Sequence, residues 1–166
     1  TEFGFSRMNL SINFSGNRGY HVHVRSQKAR GLNQSARREV VDYILGTGLK
    51  PEYLGFNPKN KGGRSLLGEE GWRGRVGKAL YGYITDAQPQ EIKALKLSPT
   101  LTQSLTNKKY EFLETLEKNP PSTVLSKFAG KDEDRLFTDL EKLMGCAIKE
   151  QAAEIDTVVT TDIHRL

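Results

Sequence analysis

Within the eight residues Phe14-Ser15-Gly16-Asn17-Arg18-Gly19-Tyr20-His21 the chain gathers a hydroxyl, a guanidinium and an imidazole around two glycines. Ser15, Arg18 and His21 are donors suited to phosphate oxygens. Arginine offers a planar fork, and each charge-assisted hydrogen bond is worth ~1.5–3 kcal/mol. Gly16, Asn17 and Gly19 tolerate positive φ, so a tight turn with several backbone amides open to a ligand is expected. The same letters fit an ordinary hairpin with an exposed arginine and surface histidines, because short glycine-containing motifs also match by chance.

Two other groupings could do chemistry. Asp132-Glu133-Asp134 has the spacing of a paired-carboxylate site, but it opens a helical pattern, where acids complement the helix dipole. It is read as a cap. Trp72 with Arg73 and Arg75 could stack on bases and follow phosphates. Trp72 also recurs with Val76, Leu80 and Tyr83 at helical spacing, which equally suits a core position.

The elements that must carry these groups follow from periodicity. Residues 8–14 alternate apolar and polar and predict a strand with one buried face, and Tyr20–Val24 resumes the alternation. On that second strand Tyr20, Val22 and Val24 share one face and His21 and His23 the other. A helix is expected over 35–45 with Ser35 as N-cap, closed by Gly46. Residues 46–68 read as a long, mobile, basic connection. Trp72 to Tyr83 reads as a helix weakened by Gly74, Gly77 and Gly82, each by about 1 kcal/mol relative to alanine. Leu105, Phe112, Leu113 and Leu116 mark one helix, stopped by Asn119-Pro120-Pro121. Another runs from about Asp132 to Ala153 on a stripe of Leu136, Leu140, Leu143, Met144, Ala147 and Ile148. The fold class is α/β (α+β): a small antiparallel or mixed sheet with a strand-turn-strand hairpin, and a helix-rich middle.

The 166 residues carry 36% hydrophobic and 27% charged side chains, enough for one globular domain rather than a disordered chain. The single cysteine, Cys146, excludes an internal disulfide and a cysteine-based zinc knuckle, so no zinc is expected. No apolar run approaches the about 18 residues of a membrane span, and no signal-like segment opens the chain. A cytoplasmic protein without a membrane partner is expected. Charge is uneven: residues 1–83 carry 14 Lys+Arg against 6 Asp+Glu, and residues 84–166 carry 11 against 14. A basic half suits a polyanionic partner.

FSGNRGYHVHV, residues 14–24, resembles the S-G-x-R-G-x-H signature of the archaeo-eukaryotic DNA primase small, catalytic subunit. Ala29-Arg30 and RREVVDY, residues 37–43, are similar to the helix that follows it there. DTVVTTDIHRL, residues 156–166, resembles the same family's D-x-x-V-T-x-D-x-x-R-L block, and VTTDIHRL looks archaeal. The two blocks occur in the family's order. The resemblance implies a primase-polymerase-like catalytic domain in which residues 1–45 and 154–166 carry the nucleotide and metal site and 69–153 form a helical region. Ser15, Arg18 and His21 would contact the incoming nucleotide's phosphates, and Asp156 would bind metal as a catalytic carboxylate. Asp162 and Arg165 match the second block. Asp162 equally suits the first turn of a closing helix capped by Thr160 or Thr161. Asn17 stands where many members have a second arginine.

The same resemblance implies nucleoside triphosphates as substrates, a single-stranded DNA template, a primase large subunit as heterodimer partner, and two Mg²⁺ or Mn²⁺ ions. The family's D-x-D, on a strand before the turn, is missing: the thirteen residues ahead of Phe14 hold one acid, Glu2. The family's S-x-H-x-K segment is missing too. The chain is therefore expected to be an internal fragment that does not polymerise by itself. Competing readings are a non-catalytic single-stranded nucleic-acid or nucleotide-binding module, and a repair-type primase-polymerase.

Overall fold

A computed structural model describes residues 2–17, 19–55, 63–128 and 132–151, leaving aside the side chains of Leu125, Glu133, Leu136 and Glu150. They gather into two compact units that divide after Leu45.

The first unit is built on a hairpin. Ser6 caps a 3-10 turn over Arg7–Asn9, its Oγ accepting from the Met8 amide at 3.2 Å, so strand β1 is Leu10–Phe14 and starts later than the alternation predicts. Strand β2 is Tyr20–Val24, antiparallel to β1, with Leu10 opposite Val24, Ser11 opposite His23, Ile12 opposite Val22, Asn13 opposite His21 and Phe14 opposite Tyr20. The Arg25 amide donates to the Asn9 carbonyl and the Ser15 amide to the Gly19 carbonyl. Since hydrogen-bonded pairs alternate along an antiparallel ladder, the apolar pairs take the closer, non-hydrogen-bonded rungs. The Phe14 and Tyr20 rings accordingly meet at 5.5 Å.

The expected buried face is not buried within this unit. Ile12, Phe14, Tyr20 and Val22 are 59–70% exposed. The two strands among the described residues make a single layer, and a sheet face is covered only by a second one. Helix α1, Gln27–Arg30, and helix α2, Gln34–Leu45, complete the unit. The α2 cap is Asn33, whose Oδ1 accepts from the Ala36 amide at 2.9 Å, rather than Ser35. Arg37 donates from Nε to the Leu32 carbonyl at 2.9 Å and from Nη2 to the Ala29 carbonyl at 3.2 Å, so this basic residue ties the end of α1 to α2.

The second unit is helical: α3 Gly71–Asp86, α4 Pro89–Ala94, α5 Pro99–Asn107, α6 Lys109–Lys118, α7 Pro121–Phe128 and α8 Glu133–Gln151. Trp72, Val76, Leu80 and Ile84 of α3 join Phe112, Leu113 and Leu116 of α6 and Leu140, Leu143, Met144 and Ala147 of α8 in one core. The single helix expected through Leu105 and Leu116 is two, because Lys108 leaves helical geometry at φ −122°, ψ 31°. Pro120-Pro121 ends α6 and also starts α7, with Pro121 as its first residue, where a missing N–H costs nothing.

Residues 46–68 differ most from expectation. Pro51–Leu54 and Leu66–Gly68 form 3-10 turns, and Pro51, Leu54 and Leu66 are buried. Residues 56–62 of that segment lie outside the described residues. Ser65 Oγ donates to the Leu116 carbonyl at 2.9 Å, fastening the second turn to α6. The apolar residues, sparse in sequence, are the ones packed, and among the described residues the segment is no free connection. Two of the helix glycines now have a reason. A Cβ on Gly77 would sit 2.6 Å from Leu66 Cβ, and one on Gly74 would run into the Glu69 carbonyl. Gly82 faces open space.

Asp139 on α8 is buried, and its Oδ2 accepts the Ser98 amide at 2.9 Å just ahead of α5. Beside it Lys142 donates to the Lys96 carbonyl at 2.6 Å. An Asp139→Leu variant leaves the Ser98 N–H buried without an acceptor, and urea denaturation should show a loss of about 1–3 kcal/mol. Asp139→Asn keeps an acceptor oxygen and should lose less. Among the described residues no helix is long and apolar enough to cross a membrane.

Candidate functional site

The turn joining β1 and β2 begins at Ser15, whose register continues the strand pair through its amide bond to the Gly19 carbonyl at 2.9 Å. Gly16 follows at φ 85°, a left-handed conformation that a side chain would strain. Ser15 Oγ accepts from the Gly19 amide at 3.1 Å and from the Asn17 amide at 3.4 Å. The expected array of free backbone amides is therefore reduced: Ser15, Asn17 and Gly19 spend theirs inside the loop. The compensation is chemical. With both lone pairs of Oγ taken by amides, the Ser15 hydroxyl proton is left to donate outward, and the donated bonds polarise it for an anionic acceptor.

His21 stands opposite Asn13, on the face that also carries Ser15, Ser11 and His23. Both histidines are exposed, and their rings lie near-parallel with centroids 6.3 Å apart. Arg25, exposed and held in register by its amide bond to Asn9, takes the next position in the same row. The apolar pairs occupy the other face, so the ladder segregates a polar row from a hydrophobic one. Of the residues expected in the site, Ser15 and His21 lie among the described residues, both at the turn end of the hairpin. Arg18, Asp156, Asp162 and Arg165 lie outside the described residues. His23 carries the clearest signal without an assigned role: at period two it must share the face of His21.

Two other groupings resolve as structure. Asp132 Oδ1 accepts from the Arg135 amide at 3.1 Å and so caps α8, as its position at the head of a helical pattern implied. Trp72 is 5% exposed in the helical core, with the Arg75 guanidinium 5.5 Å from its ring centroid. It cannot stack on a base. That overturns the specific support for a nucleic-acid module built on Trp72, because the helical spacing that made it ambiguous serves packing. Arg73 lies close to Glu69 at 4.0 Å and against Gly55. Among the described residues no group of three His, Cys, Asp or Glu comes together to hold a metal ion.

Comparison with known proteins bears on this arrangement. The family model described as DNA primase small subunit matches residues 1–166. A DNA primase small subunit of Methanospirillum hungatei is 31% identical over 179 aligned residues, covering 99% of this chain and 43% of that protein. One from Halorubrum lacusprofundi is 34% identical over 170, covering 99% and 43%. One from Methanocella arvoryzae is 55% identical over a shorter stretch of 53 residues, 32% of this chain and 13% of that protein. The chain thus spans less than half the length of these relatives.

Proposed function

This chain belongs to the DNA primase small-subunit family, and we propose that its hairpin grips the triphosphate of an incoming nucleotide during primer synthesis on single-stranded DNA. The observation that carries the reading is the turn itself: Ser15, whose Oγ gathers the Asn17 and Gly19 amides, at the end of the hairpin that carries the exposed His21. Arg18, within the turn sequence, would supply the planar fork. These groups neutralise a polyanion and fix the tail relative to the reacting phosphorus, which is positioning and electrostatics, the main protein contribution to phosphoryl and nucleotidyl transfer.

The metal side of the site is not supplied by the described residues. Hard divalent ions need several oxygen ligands, and the family pattern offers one here, Asp156, with Asp162 and Arg165 beside it in sequence. In the whole protein, Mg²⁺ or Mn²⁺ would activate the primer hydroxyl and offset charge on the leaving pyrophosphate. The 166 residues by themselves bind nucleotide without incorporating it. A template partner in single-stranded DNA and a heterodimer with a primase large subunit belong to the same proposal.

The test is titration of the isolated chain with a nucleoside triphosphate, followed by the amide shifts of residues 13–23. Ser15→Ala and His21→Ala should each weaken binding about tenfold, the loss of one charge-assisted bond. Unchanged affinity in both would remove the proposal. Tight, salt-sensitive binding of single-stranded DNA without nucleotide binding would favour the non-catalytic module instead.

A further inference from the structure

We propose that the corner where β2 runs into α1 and α1 meets α2 holds the sugar-phosphate backbone of single-stranded DNA, through Arg25, Lys28, Arg30 and Arg38. The inference rests on the reading of the chain as a primase acting on single-stranded DNA, and it adds the surface that carries the strand. Sequence supplies the charge. No Asp or Glu occurs from Phe3 to Arg38. Within that stretch the 14 residues 25–38 hold five Lys+Arg, which equals the formal +5 of the whole chain, so the other residues sum to zero. Soluble surfaces ordinarily intersperse the two signs, and a field of one sign attracts a polyion of the other.

Structure decides which of these charges stay open. Arg37 is spent on the fold, donating to the Leu32 and Ala29 carbonyls. Those acceptors are neutral, so the bonds fix the corner without cancelling its charge. They also draw the head of α2 to the end of α1, which brings Arg38 into the same corner as Lys28 and Arg30. Arg25, Lys28, Arg30 and Arg38 are all exposed. None of them forms an ion pair, and neither do Glu39 and Asp42, the acids that follow on α2. The helical unit shows the contrast: Lys118 meets Glu114 at 2.7 Å and Lys127 meets Glu111 at 2.9 Å.

The residue types select the backbone rather than the bases. Residues 25–38 contain no aromatic side chain, so the corner has nothing on which a base can stack. Cations on exposed stems contact phosphates, which positions a strand without reading its sequence. Position separates this surface from the turn. Arg25 follows β2 at the end away from Ser15 and Gly19, and the rise from Tyr20 to Arg25 is about 17 Å. A strand at the corner and a nucleotide tail at the turn therefore occupy different places.

Fluorescence anisotropy of a labelled oligo-dT, titrated with the 166-residue chain at several salt concentrations, tests this directly. Four phosphate contacts give a slope of log K against log salt of about −3. Arg25→Ala, Lys28→Ala, Arg30→Ala and Arg38→Ala should each shrink the slope by about 0.7 and cost about fivefold in affinity at 0.1 M salt. Arg30→Lys should keep the slope, because phosphate tracking needs the charge alone. The control is Lys78→Ala with Lys93→Ala, two exposed lysines of the helical unit, which should change affinity less than about twofold. If this control weakens binding as much as Arg25→Ala with Arg30→Ala, or if the wild-type chain does not bind the oligonucleotide, the surface is wrong. A mixed-sequence oligonucleotide should bind as oligo-dT does, and a strong preference between them would overturn the backbone mode. A nucleoside triphosphate at matched ionic strength should not displace the strand; displacement would place both anions at the turn and overturn the separate surface. If the nucleotide does not bind while the corner variants behave as expected, the primase reading falls and the surface remains. Circular dichroism of each corner variant should match the wild type, since the four side chains are exposed.

Discussion

A Gly77→Ala variant is expected to lose about 2–3 kcal/mol of stability, although alanine is the better helix former. The added methyl would lie 2.6 Å from Leu66 Cβ and 3.0 Å from the Leu66 carbonyl carbon. Leu66 is fully buried, so neither side can yield without opening the core between the Leu66–Gly68 turn and α3. The intrinsic gain of about 1 kcal/mol from replacing glycine in a helix is too small to offset that overpacking. Gly82, on the same helix with nothing within 4 Å, should give the opposite sign: Gly82→Ala gains about 0.5–1 kcal/mol. Urea melts of both variants beside the wild type decide the matter. Equal effects of the two substitutions would mean that α3 does not press against the Leu66 turn.

Arg18→Ala, in primer synthesis by a full-length protein bearing this hairpin, is expected to lower kcat/KM for the nucleoside triphosphate about ten- to hundredfold. That is the worth of one charge-assisted contact of ~1.5–3 kcal/mol made to the tail. Arg18→Lys should recover only part of it, because an ammonium keeps the charge and loses the planar fork. Steady-state kinetics at varied nucleotide concentration separate the two possible losses. A raised KM at constant kcat marks a contact made equally in ground and transition states, and a lowered kcat marks one that tightens as pyrophosphate charge develops. Unchanged kinetics would count decisively against the phosphate role of the turn.

Local alternation was legible wherever a single period ruled. The β2 bounds, the separation of Tyr20, Val22 and Val24 from His21 and His23, and the stop at Pro120 all follow from the chain's own letters. Where two local rules competed, the structure chose. Asn33 caps α2 although Ser35 stands nearer the apolar stripe, and Met8 and Asn9, which open the alternation, coil with Arg7 into a 3-10 turn. Ser15 Oγ draws in two loop amides that the glycine count alone left free.

The family and the donor chemistry of the turn were determined by sequence alone, because a hydroxyl, a guanidinium and an imidazole at fixed separations keep their character in any fold, and a strand of period two fixes which of them share a face. What only tertiary structure decided is which ambiguous groups are spent on packing. Trp72 went into the core, Leu54 and Leu66 came out of an apparently loose basic segment to seal it, and Gly74 and Gly77 turned from weaknesses into clearances. Burial depends on partners distant in the chain, here α3 against the Leu66 turn and α8, and no local pattern encodes how closely two such elements approach.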